Sequence, residues 1–489
     1  MYDAVVVGAG ISGLTNALVL ASFGKRVAVV ERAPQAGALL RGFDRWGVHF
    51  DTGFHYAGGM AAGEGVQRFF SFLGIADQLN IIPMRQNCFD RIMTTDYRIN
   101  LELPVGAESF VAALVAEFPA EREAVTRFVA DLLQVADNLP YLNMYTQAID
   151  ASVFAVVEDV SLADYLFQLT SNQRLRQVLS LHCVLHGVPA ARVPFRFHAS
   201  VIGPYIRSAS IIEGGGQALI AAMEKRLHDC GVDLLCSQQV IRFHLSAADR
   251  IDGVELADGQ MLECKVVVCA AHPGCVIDCL PTLMLRPVYR KRLQGLHETS
   301  SACLLFARCR RDVELLSGSN LYVLDVDSPH KQRFPFDNNM CYLTAANGRN
   351  NNGFMAIVPA YYDNFTPWND SLTGLRPAAY YAEKQNVTQL LLQRLEKAVP
   401  QLDNQIDRCE LATPLTLRDY MYSSDGALYG AQRQVDDYPL QATTRVEGLY
   451  LSGQALVAPG VMGAMVSAFN SCGVILGRDR LIGELKKCN

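Results

Sequence analysis

Residues 2–31, YDAVVVGAGISGLTNALVLASFGKRVAVVE, constrain the fold more than any other stretch of the chain. The apolar run Ala4 to Val7 is rich in β-branched valine, which packs well on a covered pleated surface, and reads as a buried strand. Gly8, Gly10 and Gly13 follow in the spacing GxGxxG, with Ile11 and Ser12 opening the helix between them. Gly8 suits a tight turn, Gly10 lets the backbone approach a pyrophosphate, and Gly13 lets the helix pack closely on the strand. Leu14, Ala17, Leu18 and Ala21 place one apolar stripe on that helix, and Gly24 stands where it should end. Val27 to Val30 predict a second strand, ending at Glu31, eighteen residues after Gly13. A carboxylate there accepts hydrogen bonds from both ribose hydroxyls and repels a 2′-phosphate. Glycines in this spacing mark turns in many proteins. Here strand, glycines, helix, strand and acid fall in register as one βαβ unit, which predicts a site for the adenine half of FAD or NAD.

A chain of 489 residues exceeds one ordinary core, so two domains are expected. Half of the residues are hydrophobic and 19% are charged, while a net charge of −6 offers no electrostatic footprint for nucleic acid. No run of eighteen uncharged apolar residues exists; the nearest, Val5 to Leu20, belongs to the βαβ unit and is interrupted by glycines. The chain enters its first strand without a basic leader or cleavage site, so a cytoplasmic protein is expected, with contact to the inner membrane surface left open. The fourteen cysteines show no CxxC and read as buried free thiols. His182 and His186 form HxxxH without the glutamate of HExxH or a third ligand. They read as structural or pocket histidines, and no metal is expected.

After Glu31 the chain reads ERAPQAGALLRGFDRWGVHFDTGFHYAGG. Arg41 can offer its planar fork to a pyrophosphate. This run resembles the extended FAD fingerprint of the flavin amine oxidase-like superfamily. There the glycine loop is followed by E-(K/R)-x4-GG-x2-R and then D-x-G-x-x-(Y/W). Within that superfamily, GVHFDTGFHYAGG is most similar to the phytoene desaturase, carotenoid isomerase and retinol saturase branch. The resemblance implies that Arg32 and Arg41 belong to the cofactor site and that the segment from Thr52 and Gly53 to Tyr56 runs beside the flavin ring. His55 and Tyr56 then face the catalytic side. One departure is Ala38, where the pattern has its second glycine.

Residues 64–205 read as mostly helical and apolar, punctuated by Pro104, Pro119 and Pro140, and suit a lid over the flavin. The triple glycine Gly214 to Gly216 precedes a helical pattern to Cys230. It lacks GxGxxG spacing and resembles the family's return into the FAD domain, with Val240 placed by that resemblance at the adenine. Ile251 to Leu256, the turn Asp258-Gly259 and Met261 to Lys265 predict a hairpin, and Val266 to Ala270 a separate buried strand. Ser301 to Cys309, Leu321 to Asp325, Met340 to Thr344 and Gly353 to Pro359 read as the sheet of a substrate domain, and Asn347 to Asn352 as a polar turn. Tyr361, Tyr362, Phe365, Trp368, Tyr380 and Tyr381 are candidates for lining a polyene pocket or for plain core. In GLYLSGQALVAPGVMGAMVSAFNSCGVILG a short strand leads to a helix whose N-terminus favours negative charge. The block resembles the family's C-terminal FAD motif, which carries Gly453, Gln454, Val461, Met462 and Gly463 over as flavin-proximal.

The expected architecture is therefore α/β. A discontinuous Rossmann-like FAD-binding domain spans residues 1–75, 205–290 and 430–489, and an α+β substrate domain with a helical lid spans 76–204 and 291–429. The resemblance implies an FAD-dependent oxidoreductase acting on carbon–carbon double bonds of a long apolar polyene or isoprenoid, by desaturation, saturation or isomerisation. Such a lipophilic substrate is loaded from a membrane surface or a carrier protein. The alternatives are an amine or amino-acid oxidase, which should carry an acid in place of Gln454, and a non-catalytic flavin-binding component. His55 and Tyr56 are the candidates for proton delivery.

Overall fold

The computed structural model describes residues 1–138, 160–325, 340–347, 352–402, 404–435, 437 and 440–488. Pro140, the start of the apolar run at Val153 and the middle of the polar turn after Asn347 lie outside the described residues.

Two seven-stranded sheets organise the chain. In the first, β1 (Tyr2–Val7) leads through Gly8 into α1 (Ile11–Ser22) and on to β2 (Val27–Val30). β1 pairs in parallel with β2 on one side and with the strand Met261–Cys269 on the other. Asp233–Leu235 extends the parallel order beyond β2, and Leu449–Leu451 extends it beyond Met261–Cys269. All four residues of β2 are buried, as the unbroken valine-rich run requires when both faces of a parallel sheet are covered. The antiparallel strands Ile251–Leu256 and Val240–Leu245 complete the sheet, yet Met261–Lys265 and Val266–Ala270 are not separate strands. They form one nine-residue strand, because no turn residue divides them. Its first part alternates exposed and buried residues against the hairpin, and its last three residues are buried between parallel neighbours.

The second sheet holds Ser301–Cys309, Asn320–Leu324, Met340–Ala345 and Gly353–Ala360, with Ile406–Ala412 on one edge. On the other side it takes Asp90–Thr94 and Asn100–Leu103, two strands inside the stretch 64–205 that reads as mostly helical. These strands of five and four residues alternate too briefly to outweigh the surrounding helical pattern. Asn100–Leu103 pairs with Asp90–Thr94, whose other partner, Asn320–Leu324, lies far along the chain. The remainder of that region is largely helical among its described residues, and its long helix α2 (Phe195–Arg207) reaches the space between the sheets. α3 (Gly215–Asp229) follows the triple glycine, and α4 (Gly460–Leu476) closes the first sheet. All fourteen cysteines are free thiols. Among the described residues no helix is long and apolar enough to cross a membrane.

Candidate functional site

The N-termini of α1 and α4 open onto the same cavity of about 300 Å³. Neither helix start has a side-chain cap, so the free N–H groups of both first turns can serve an anionic or electron-rich ligand. The glycines that make this cradle divide by role. A Cβ on Gly13 would stand 1.8 Å from the Gly8 carbonyl oxygen, and one on Gly463 2.1 Å from that of Ala458. These two glycines hold turn and helix together. Gly10 has nothing within 4 Å of a Cβ position and leaves an open approach to the backbone. Ser12 Oγ lies 2.8 Å from Ser452 Oγ, and Asn16 Nδ2 donates to the same Ser452 Oγ at 2.8 Å, which ties α1 to the loop before α4.

Behind the cradle, Glu31 Oε2 accepts the Ala9 N–H at 2.7 Å and Oε1 accepts that of Ala33 at 2.8 Å. Its carboxylate is thus aimed, with lone pairs left for a ribose. Arg32 stacks on the Tyr422 ring at 4.3 Å and donates to the Tyr422 carbonyl. Arg41 donates to the Ala36 carbonyl and pairs with Glu224, so two of its guanidinium nitrogens are engaged within the protein. Val240 is buried at the head of its strand and pairs with Leu256. Gly8, Gly13, Glu31, Arg32, Arg41 and Val240 do not line the cavity; Gly10, Ile11, Ser12, Thr52, Gly53, His55, Tyr56, Gly453, Gln454, Val461, Met462 and Gly463 do.

The segment after β2 enters the cavity on a buried acid. Asp51 Oδ1 accepts the Gly216 N–H at 3.2 Å, and a Cβ on Gly215 would fall 2.0 Å from its other oxygen. Gly215 therefore leaves the room that Asp51 occupies, and burial pushes this carboxyl up to about 7. Thr52 Oγ1 donates to the Leu39 carbonyl at 2.8 Å and fixes the turn. His55 lines the cavity with Nδ1 buried and unpartnered, and burial lowers its imidazole to about 4, so it is neutral at physiological pH. Tyr342, opposite His55 with ring centroids 6.1 Å apart, has an unpartnered buried hydroxyl. Tyr56 spends its hydroxyl inward, at 3.0 Å from Asp90 Oδ2 and 2.9 Å from Tyr322 Oη. Uncapped helix starts, an open glycine backbone and unpartnered polar atoms in one cavity fit a flavin.

Val184, Leu185, Val201 and Tyr205 wall the cavity from the helical side, and Leu304, Tyr342 and Ile357 from the second sheet. Among the described residues no Asp, Glu, Lys or Arg lines it. The aromatic cluster read near residue 365 lies elsewhere. Phe365 and Tyr380 pack with Trp368 in a separate core on the far face of the second sheet, while Tyr361 and Tyr381 are exposed. Tyr205, Tyr342 and Tyr429 are the tyrosines that line the cavity beside Tyr56. Single tyrosines in a helix, a strand and a loop gave no pattern to find them by. His182 and His186 do not share a helical face, because Leu181–Leu185 is a 3-10 turn. His182 Nε2 bonds Asp90 Oδ2 at 2.9 Å. His186 Nε2 meets His198 Nδ1 at 3.1 Å, near Cys183. Cys183, His186 and His198 could hold a metal by type and spacing, a grouping that the sequence pair His182 and His186 did not reveal. The Val188 N–H donates to His186 Nδ1 at 3.3 Å, however, which places the proton on His186 Nε2 and aims it at His198.

The family model described as flavin-containing amine oxidoreductase matches residues 11–476. An all-trans-retinol 13,14-reductase of Rattus norvegicus is 27% identical over 525 residues, covering 98% of this chain and 86% of the relative. A chloroplastic prolycopene isomerase of Arabidopsis thaliana is 24% identical over 509 residues, covering 95% and 82%. Among solved structures, cyclohexylamine oxidase from Brevibacterium oxydans shares the fold with a TM-score of 0.62 at 16% identity, covering 99% of each chain. With the flavin cradle in place and the match extending over nearly its whole length, the chain belongs to the flavin-containing amine oxidoreductase family and is a flavin-dependent oxidoreductase.

Proposed function

We propose that the chain binds FAD along the α1–α4 cradle and acts on carbon–carbon double bonds of a long apolar polyene. The observation that carries this reading is the uncharged cavity wall. An ammonium or carboxylate group loses its hydration at least cost against a group of opposite charge, and none of the described lining residues offers one. Gln454, in the position the oxidase reading reserves for an acid, lines the same cavity. The two relatives above reduce retinol and isomerise prolycopene by name, and both compounds are polyenes.

Bound FAD supplies two-electron chemistry at its ring. The chain supplies the rest. The first turn of α1 neutralises the pyrophosphate, Glu31 takes the ribose hydroxyls, and the first turn of α4 stabilises negative charge on the ring. Neutral His55 packs at the reacting face without bringing a charge. The apolar wall excludes water and aligns the substrate's double bonds. We place the FAD-binding domain at residues 1–75, 205–290 and 430–489 and the substrate domain at 76–204 and 291–429; the memberships of the two sheets support this division. The substrate enters from a membrane surface or a carrier, since long polyenes are poorly hydrated.

The test is to identify the bound flavin by mass. The photoreduced enzyme is then mixed anaerobically with all-trans-retinol and prolycopene, and the oxidised enzyme with the same polyenes, putrescine and cyclohexylamine. The expected result is FAD, with a polyene whose absorption changes and amines that leave the oxidised enzyme unchanged. Oxidation of an amine with no change in either polyene would overturn the reading. Titration with NADPH then sorts the three polyene reactions: bleaching of the flavin indicates saturation, and its absence indicates desaturation or isomerisation.

A further inference from the structure

We propose that residues 280–297 form a docking surface for an anionic lipid bilayer, the source from which the apolar substrate is loaded. The choice of a membrane as source rests on the polyene reading; the surface itself is read from charge and exposure. The stretch Leu280 to His297, LPTLMLRPVYRKRLQGLH, carries Arg286, Arg290, Lys291 and Arg292 and no acid, in a chain whose net charge is −6. It follows the strand Met261–Cys269 by way of Ala270, which lines the cavity, and the short helix Cys275–Cys279. A 3-10 turn over Thr282–Met284 and a helix over Pro287–Gln294 shape it. Leu280, Leu285 and Leu293 are buried and pin it to the core of the first sheet, in one cluster with Val5 and Val267. Pro281 and Pro287 fix their own φ ahead of the turn and the helix, which stiffens what the segment displays. Leu283 is 90% exposed and Val288 80%, the two most exposed large hydrophobic side chains among the described residues.

A lone exposed leucine needs no explanation, but two such apolar side chains set among four cations do. Val288 and Lys291 stand three residues apart on the same helix and share a face. Arg286 and Lys291 are exposed, and among the described residues neither forms an ion pair. Arg290 keeps a buried Nη1 without a hydrogen-bond partner. Apolar side chains held on a stiff, core-anchored segment lose little freedom on insertion. The flanking cations meet lipid phosphates while their stems lie along the interface. An apolar tip or a charge cluster alone binds a membrane weakly, and the two together attach stably. Charge complementarity selects anionic headgroups. A second exposed pair, Leu372 and Leu375, lacks this charge: Asp370 is its neighbour in sequence, and Arg376 is paired with Asp419.

The test is co-sedimentation of the FAD-loaded protein with vesicles of phosphatidylcholine alone and of phosphatidylcholine and phosphatidylglycerol in equal parts. Binding is expected to the mixed vesicles only, and it should weaken about tenfold or more between low and high salt. The double variant Arg286→Glu, Lys291→Glu should bind them about twentyfold or more weakly, at roughly fivefold per cation. Leu283→Asp should lose about tenfold, and Leu375→Asp should bind as wild type. Far-UV circular dichroism and flavin content, unchanged in each variant, separate lost docking from lost folding. No binding to the mixed vesicles would overturn the proposal. So would binding that the double variant and Leu283→Asp leave intact, or that Leu375→Asp abolishes. Self-association that Val288→Asp abolishes, without vesicle binding, would overturn it in favour of a second copy of this chain. A protein that docks as stated but converts no polyene refutes the polyene reading and retains the surface. One that converts polyene from detergent micelles but ignores vesicles loses the surface alone.

Discussion

Asp51→Asn tests whether the acid of the flavin-side segment is held against its own ionisation. Asp51 is 1% exposed, and among the described residues its carboxylate accepts one hydrogen bond, from the Gly216 N–H. His49 Nε2 stands 4.0 Å away, beyond hydrogen-bond reach. Burial pushes the folded carboxyl up to about 7, against about 3.9 in an unfolded chain. The folded state therefore binds this proton more tightly than the unfolded state. Its contribution is whole below about pH 4, drains away as pH rises through the window, and is gone above about pH 7. At about 1.4 kcal/mol per unit, the ionised wild type forgoes about 4 kcal/mol at alkaline pH. Asparagine keeps the shape and the acceptor for Gly216 and has no proton to lose. Its stability advantage over wild type should grow by roughly 2.5 kcal/mol between about pH 5 and about pH 8. Urea unfolding of both proteins at the two pH values, at equal flavin saturation, measures that growth. An advantage that stays constant or shrinks with rising pH would refute a carboxyl raised by burial.

Gly13→Ala drives a methyl to 1.8 Å from the Gly8 carbonyl oxygen, backbone that cannot yield without opening the turn. Overpacking of this kind costs about 1–3 kcal/mol, so flavin affinity should fall roughly tenfold or more, read from flavin fluorescence on titration of the apoprotein. Affinity equal to wild type would remove Gly13 from the cradle. For His55→Ala, a neutral cavity-lining imidazole with an unpartnered Nδ1 is lost while the cradle is untouched. Flavin content should hold and most turnover should go; full turnover in that variant would take His55 out of the mechanism.

The cradle was legible because its signals are local. GxGxxG, the apolar stripe of α1 and the acid at Glu31 act within one βαβ unit, and the C-terminal glycines act within one loop and helix start. Local steric demands leave local traces. The strand Asp90–Thr94 left almost none, because five residues give little periodicity and its partner strand begins at Asn320. Tyr342 and Asp90 are ordinary strand residues by sequence. The aromatics near residue 365 show the opposite failure, since a dense cluster of rings near one another in sequence became ordinary core.

By itself the sequence determined the opening βαβ unit with its GxGxxG glycines and the acid at Glu31, and the glycine-flanked strand and helix start near residues 453–463. Only the tertiary structure decided that the cavity wall carries no charge among the described residues, that Asp51 is seated by Gly215 and Gly216, and that Tyr56 turns its hydroxyl to Asp90 and Tyr322. The physical reason is range. Backbone turns and helix starts are set by neighbours in the chain, whereas burial, orphaned polar atoms and shared protons arise from residues that meet only when distant segments pack.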